Sequence, residues 1–313
     1  MRRLAVLAVA LAALPLVGAQ AAGDPPLRVP RAALAKALVC PSRFSHPKHE
    51  PVLLVHGTGF HQRENYDWNY AVALPQAGFD VCSVTLPNRA LDDIQVASEY
   101  VVYAVREMHR RTRRRVDVIG HSQGGLEPRW ALRWWPSLRR LVDDLVTLAA
   151  PHHGTLSADA LANGGSVAAA YQMRTDSRFV RALNSGDETP GGVSYTALYS
   201  LTDELVQPAA PVPTGALKGG RNVLVQDVCP GRVVTHVSIA GDGVVWELVR
   251  DALTRRGPAD PKRLSPTVCA TGAMPGFTPT ALVAVAQDDF ENDRTPDWNF
   301  VDEEPALAPY ARY

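Results

Sequence analysis

The chain lacks an excess of either charge. Its 313 residues hold 32 lysines and arginines against 32 aspartates and glutamates, which gives no support to nucleic acid or an anionic membrane as its main partner. It lacks an apolar run that spans a bilayer comfortably, because the candidate at residues 4–17 is too short and too rich in alanine. Cysteine is scarce at four residues, with neither a CxxC pair nor a Cys/His cluster among them. No metal centre is therefore expected, and nothing in the sequence calls for a cofactor.

What is present begins with an export signal. Arg2 and Arg3 precede the apolar run, and Ala19-Gln20-Ala21 supplies a small-x-small cleavage site. Residues 1–22 read as a secretory signal peptide cut near Ala21 or Ala22, rather than as an uncleaved anchor, so the mature protein is expected to be extracellular. Residues 23–39 form a proline-rich leader without periodicity. In an oxidising compartment Cys40, Cys82, Cys229 and Cys269 suggest two disulfides. Of three pairings, Cys40–Cys82 with Cys229–Cys269 is favoured; each bridge closes a loop of about 40 residues, worth roughly 3–4 kcal/mol in the chain-entropy model. The remaining length, with 46% hydrophobic residues, suits one α/β domain at residues 40–270, followed by an extension at 271–313 with no assigned role.

The chemistry is concentrated in Ile119-Gly120-His121-Ser122-Gln123-Gly124-Gly125, which contains G-x-S-x-G. An apolar strand pattern at 116–119 precedes it and a helical pattern at 126–135 follows. That context is what a nucleophile elbow needs: small residues either side let the backbone close sharply and lift the Ser122 hydroxyl above a sheet. The amide of Gln123, at a helix N-terminus, is placed to donate to an oxyanion. Residues 51–55 read as a buried parallel strand delivering His56-Gly57-Thr58-Gly59, where Thr58 can add a hydroxyl to the same task.

Elsewhere the periodicities predict a helix at 68–77 stopped by Gly78, a strand at 80–86, and a long helix capped by Asp92 with apolar positions Ile94, Ala97, Val101, Val105 and Met108. The basic run at 110–115 has no interleaved aromatics and reads as a solvated connection. Trp130, Trp134 and Trp135 read as helix packing. A strand at 144–149 ends near His152 and His153, where a carboxyl end would face them to the ligand crevice, and His152 reads as a pocket wall or a satisfied hydrogen-bonding residue; residues 156–192, small and polar, read as a substrate-shaping insert. Further strands are expected at 195–201 and 222–228, and a helix at 244–253.

A serine hydroxyl needs a base, and that base needs an orienting acid. Ser122, Asp203 and His236 follow the chain order serine, acid, histidine, with the last two just beyond predicted strands. Glu204 is the adjacent rival acid; Asp176, Asp187, Asp227 and Asp242 fit that position less well.

The segments Val55-His56-Gly57-Thr58-Gly59, Ser122-Gln123-Gly124-Gly125, Tyr199-Ser200-Leu201-Thr202-Asp203-Glu204-Leu205-Val206-Gln207-Pro208 and Thr235-His236 resemble the Candida antarctica lipase B group, as does Asp93-Ile94-Gln95-Val96-Ala97-Ser98-Glu99-Tyr100. The likeness covers roughly residues 40–269, and the block around Asp203 is its most specific part. It implies an α/β-hydrolase fold, a mostly parallel sheet with helices on both faces. It also implies Ser122 as nucleophile, Asp203 as acid, His236 as base, Thr58 with Gln123 as oxyanion hole, and the same two cysteine pairings. Gly120-His121 instead has the form common in bacterial lipases. His152 stands where the group has a pocket aspartate, which makes it a substrate-pocket candidate. No cysteine after Cys269 matches the group's C-terminal disulfide.

The expectation is a secreted serine ester hydrolase, lipase or carboxylesterase, acting on ester or lipid substrates, acylglycerols foremost, through an acyl-enzyme. It is expected to be a monomer with transient contact to a lipid interface and no nucleic-acid partner. A thioesterase, acyltransferase, peptidase or polyesterase on the same triad is the alternative. A non-catalytic secreted binding protein is the rival of another class, disfavoured because all three triad groups are present.

Overall fold

The computed structural model describes residues 23–277, 279–280 and 297–311; the expected signal peptide and its cleavage site lie outside them. In chain order the regular elements are α1 (Arg31–Ala37), β1 (Leu38–Val39), β2 (Val52–Val55), α2 (Gln62–Tyr66), α3 (Tyr70–Gln76), β3 (Val81–Val84), α4 (Ile94–Thr112), β4 (Val116–His121), α5 (Leu126–Trp134) and β5 (Val142–Leu148). They continue as α6 (Leu156–Leu161), β6 (Ser166–Val167), α7 (Ala168–Gln172), α8 (Arg178–Asn184), β7 (Ser194–Tyr199), β8 (Arg221–Leu224), α9 (Val225–Val228), α10 (Gly243–Thr254) and β9 (Phe300–Val301).

Seven strands form the central sheet in the order β1-β3-β2-β4-β5-β7-β8. All its pairings are parallel except β1 with β3. Every residue of β2 is buried, because side chains alternate between two covered faces. Leu53 and Val55 enter one core with α4 and α5. Val52 and Leu54 enter the other with α3 and α10. The fold is thus α/β, with a mostly parallel sheet between helical layers.

Local chemistry explains most of the boundaries. The cap of α4 is Asp93, not the expected Asp92: the Asp93 carboxylate accepts the Gln95 amide at 2.9 Å, while Asp92 accepts from the Asn88 side chain. One face of α4, including Ile94, Ala97, Val101, Val105 and Met108, is buried. The basic run serves structure. Arg114 pairs with Asp80 at 3.1 Å and Arg115 with Asp143 at 2.7 Å. The strand expected at 222–228 ends at Leu224, and the chain turns into α9. That turn lets Gln226 accept the Leu201 amide at 3.0 Å and donate to Ser200 Oγ at 2.9 Å, tying the end of β7 to this edge of the sheet.

The leader belongs to the packed fold, although its sequence has no period. Its β1 lies antiparallel to β3, the Pro25 carbonyl accepts from Trp135 Nε1 at 2.8 Å, and Glu99 receives the amides of Arg28 and Val29. The disulfides join Cys40 to Cys82 and Cys229 to Cys269. The tail also packs. Its β9 pairs with β6, Glu304 accepts the amides of Arg178 and Phe179 at the start of α8, and Tyr310 packs edge-on to Trp135 at 5.0 Å.

The amino ends of the central strands β4 and β5 hold two buried acids, Asp117 and Asp144. Burial raises Asp144 to about 7, with Asp143 adding to it and Ser194 and Arg115 opposing. Burial raises Asp117 as well, reinforced by Asp144. The folded state therefore binds a proton at Asp144 more tightly than the unfolded chain, whose aspartate ionises near the ordinary value of about 4. That contribution to stability is complete below about pH 4 and is lost as pH rises through about 7, at up to roughly 1.4 kcal/mol per pH unit. Thermal melts from pH 4 to 8 are expected to slope less steeply downward for Asp144→Asn than for the parent; identical slopes would refute the assignment.

Candidate active site

Parallel strands put their carboxyl ends on one edge, and four of the loops there converge. Ser122 follows β4, Gly57-Thr58 follow β2, Asp203 follows β7, and His236 lies beyond β8 and α9. Val55 pairs with Gly120 across β2 and β4, which sets the Thr58 loop beside the serine turn.

Ser122 has φ of +56°, in the left-handed region that a non-glycine residue rarely occupies. Its surroundings hold that strain in place. A Cβ added at Gly120 would collide with the Gly124 carbonyl, and one at Gly124 would collide with the Val55 carbonyl. The two glycines of G-x-S-x-G are thus required by contact rather than by chain freedom alone.

The three groups expected to act together do meet. His236 Nε2 lies 2.8 Å from Ser122 Oγ, and its Nδ1 lies 3.0 and 3.2 Å from the two oxygens of Asp203. Both His236 and Asp203 are buried. Burial works to raise the Asp203 pKa, but the His236 hydrogen bond and charge, with the Val206 and Leu205 amides, more than offset it and hold the carboxyl below its usual range. The Leu205 and Val206 amides each donate to Asp203 Oδ1 at 2.8 Å, which fixes the carboxylate before it meets the ring. The rival Glu204 is exposed and accepts the His236 main-chain amide at 2.9 Å, so it braces the loop and not the imidazole. Thr202 closes the arrangement, its hydroxyl bonding both the amide and the carbonyl of Val234.

The Thr58 hydroxyl donates to the Gln123 side-chain oxygen at 2.5 Å. The main-chain amides of Thr58 and Gln123 have no acceptor among the described residues, which leaves them available to a developing oxyanion.

His152, expected in the substrate pocket, has no exposed surface. Its Nε2 lies 2.9 Å from Thr147 Oγ1 and its Nδ1 3.4 Å from the buried Arg129, so it is a hydrogen-bonded interior group. Burial, then Arg129, hold its pKa well below the ordinary value. Its neighbour His153, partly exposed beside Glu188, lines a cavity of about 310 Å³ with Val212, Pro213 and Thr214.

Sequence reasoning missed His121, Asn65 and Glu127. His121 Nε2 bonds the His236 carbonyl at 2.9 Å, and Asn65 Oδ1 contacts His121 Nδ1 while accepting the Gly57 amide. Burial, with His236 nearby, lowers His121 to about 3, and its ring braces the loop that carries the base. Only its place beside Ser122 hinted at this. Asn65 and Glu127 carry no motif.

A model of the PGAP1-like alpha/beta domain matches residues 88–182. The chain is 34% identical over 291 residues to Lipase B of Pseudozyma antarctica, covering 90% of this chain and 84% of that protein. It is 28% identical over 151 residues to a triacylglycerol lipase of Pseudomonas fragi, covering 45% of this chain and 50% of the other. The crystal structure of Aspergillus fumigatus lipase B aligns with a TM-score of 0.85 and 30% identity, covering 95% of this chain and 76% of that one.

Proposed function

This chain belongs to the lipase B family of α/β-hydrolases and is a hydrolase of the lipase and esterase class, and from that membership we propose an exported serine enzyme that cleaves carboxylic esters, acylglycerols foremost, through an acyl-enzyme. The observation that carries the reading is the unbroken contact from Asp203 through His236 to a serine hydroxyl, at 3.0 and 2.8 Å. Ser122 attacks the ester carbonyl as His236 Nε2 takes its proton. Asp203 holds the Nδ1 proton and stabilises the imidazolium. The Gln123 and Thr58 amides, with the Thr58 hydroxyl, receive the tetrahedral oxyanion. The imidazolium then protonates the leaving alcohol, and water, activated by the same base, releases the acid.

Two disulfides support export, since such bridges persist in oxidising compartments. No helix among the described residues is long and apolar enough to cross a membrane. Leu156 and Leu205, both exposed, flank the loop that carries Asp203 through the Leu156–Gln207 main-chain bond and the Thr155–Leu205 contact. Apolar side chains so placed support transient docking on a lipid surface.

Initial rates on p-nitrophenyl esters of increasing acyl length, emulsified triglyceride, matched thioesters and anilides test the proposal. Esters are expected to be hydrolysed fastest at matched concentration. Faster thioester or amide cleavage, or no ester cleavage, would overturn it.

A further inference from the structure

One buried acid within reach of the site has no part in the chemistry above. Glu127 lies on α5 one helical turn after Gln123, and neither residue has exposed surface. Gln123 Nε2 donates to Glu127 Oε1 at 2.8 Å, and Gln123 Oε1 accepts the Thr58 hydroxyl at 2.5 Å. The second oxygen of Glu127 is buried without a partner. A single amide thus joins the carboxyl to the hydroxyl assigned to the oxyanion hole.

The polarity of such a chain is set at its end. An ionised carboxylate can only accept, so it draws the Gln123 NH₂ towards itself and turns the amide oxygen to Thr58. The Thr58 proton is then committed to Gln123, and its oxygen lone pairs are what a substrate oxyanion would meet. A protonated Glu127 can donate. It then accommodates the flipped amide, whose NH₂ donates to Thr58 Oγ1 and leaves the Thr58 proton for the oxyanion.

We propose that Glu127 is a positioning residue of the oxyanion hole, whose protonation, relayed by the Gln123 side chain, decides whether the Thr58 hydroxyl can donate to the reacting ester. The inference rests on the assignment of Thr58 to the oxyanion hole. Burial pushes Glu127 up to about 8, opposed by Gln123 and its own main-chain amide, so both states are reachable near neutral pH. The elements packed on α5 carry Glu99, Tyr100, Tyr103, Arg106, Glu107, His109, Arg110 and Arg111 on α4, Asp117 and His121 on β4, Arg178 and Arg181 on α8, and Arg139 and Arg140 in the turn that follows. None of them, nor Arg129 and Arg133 on α5 itself, adds a charge effect at Glu127.

The test is the pH profile of kcat for a soluble p-nitrophenyl ester from pH 6 to 10, corrected for spontaneous hydrolysis. The parent is expected to lose turnover above about pH 8, by tenfold or more, since one oxyanion donor is worth about 10²–10³. The triad alone gives no such loss, because its base must be neutral to act. Glu127→Gln, which still donates and accepts, is expected to restore turnover at high pH and abolish the alkaline limb. Thr58→Val, which leaves Glu127 in place, is expected to lower turnover at every pH and flatten the limb too, whereas Thr58→Ser keeps it. An unchanged limb in Glu127→Gln or in Thr58→Val overturns the proposal, as does a parent without one. If the first variant does not fold, the Thr58 pair decides alone. Failure of the underlying triad is distinguishable: hydrolysis would then persist in Ser122→Ala, whatever happens at residue 127.

Discussion

Replacing Ser122 by alanine is expected to lower kcat for ester hydrolysis by about 10⁶, because the groups of a serine triad act as a unit and little is left once the nucleophile is gone. The residual rate above water should come from binding and from the oxyanion donors, and should still fall when Thr58 is changed. The substitution removes one oxygen from a residue already held at φ of +56° by Gly120 and Gly124. Its melting transition should therefore stay close to the parent's, which separates lost chemistry from lost fold. Turnover by the alanine variant within tenfold of the parent would remove Ser122 from the mechanism.

Asp203→Asn should cost about 10⁴ in kcat with the fold intact. The Asp203 carboxylate accepts on both sides: from the Leu205 and Val206 amides through Oδ1, and from His236 Nδ1. An asparagine cannot satisfy both. If its oxygen stays with the two amides, its NH₂ faces Nδ1 and forces the imidazole proton onto Nε2, the atom that must receive the Ser122 proton. Glu204→Gln is the control. It leaves an acceptor for the His236 main-chain amide and removes no contact from the ring, so a loss of about tenfold or less is expected. Equal losses in the two variants would mean that the acid has been assigned to the wrong residue.

Much of this was legible from the sequence, for physical reasons. The strand–serine–helix unit is encoded within about twenty residues by burial pattern and glycine placement. Ser122 and Asp203 stand just past strand ends, where an α/β sheet gathers ligand-facing groups, and His236 follows them in the chain order of a serine triad. What escaped reading depends on distant partners. The tail shows no period because Ala308 donates to Gln95 and Glu304 caps α8, contacts 213 and about 125 residues apart in the chain. The leader folds against Glu99 and Trp135 for the same reason. His152 looked like a pocket residue by its place after β5, yet the polar interior it serves is built by Thr147 and Arg129. Glu127 sits in a helix among apolar neighbours, where an acidic residue suggests a solvated face; only the fold shows that no water reaches it.

The most direct test of the account is covalent labelling by an alkyl phosphonate p-nitrophenyl ester, followed by peptide mapping by mass spectrometry. One adduct per chain, on the peptide that contains Ser122, is expected, formed in step with loss of esterase activity and much more slowly in His236→Ala. Full inactivation with the label on another residue, or activity that survives stoichiometric labelling of Ser122, would contradict it.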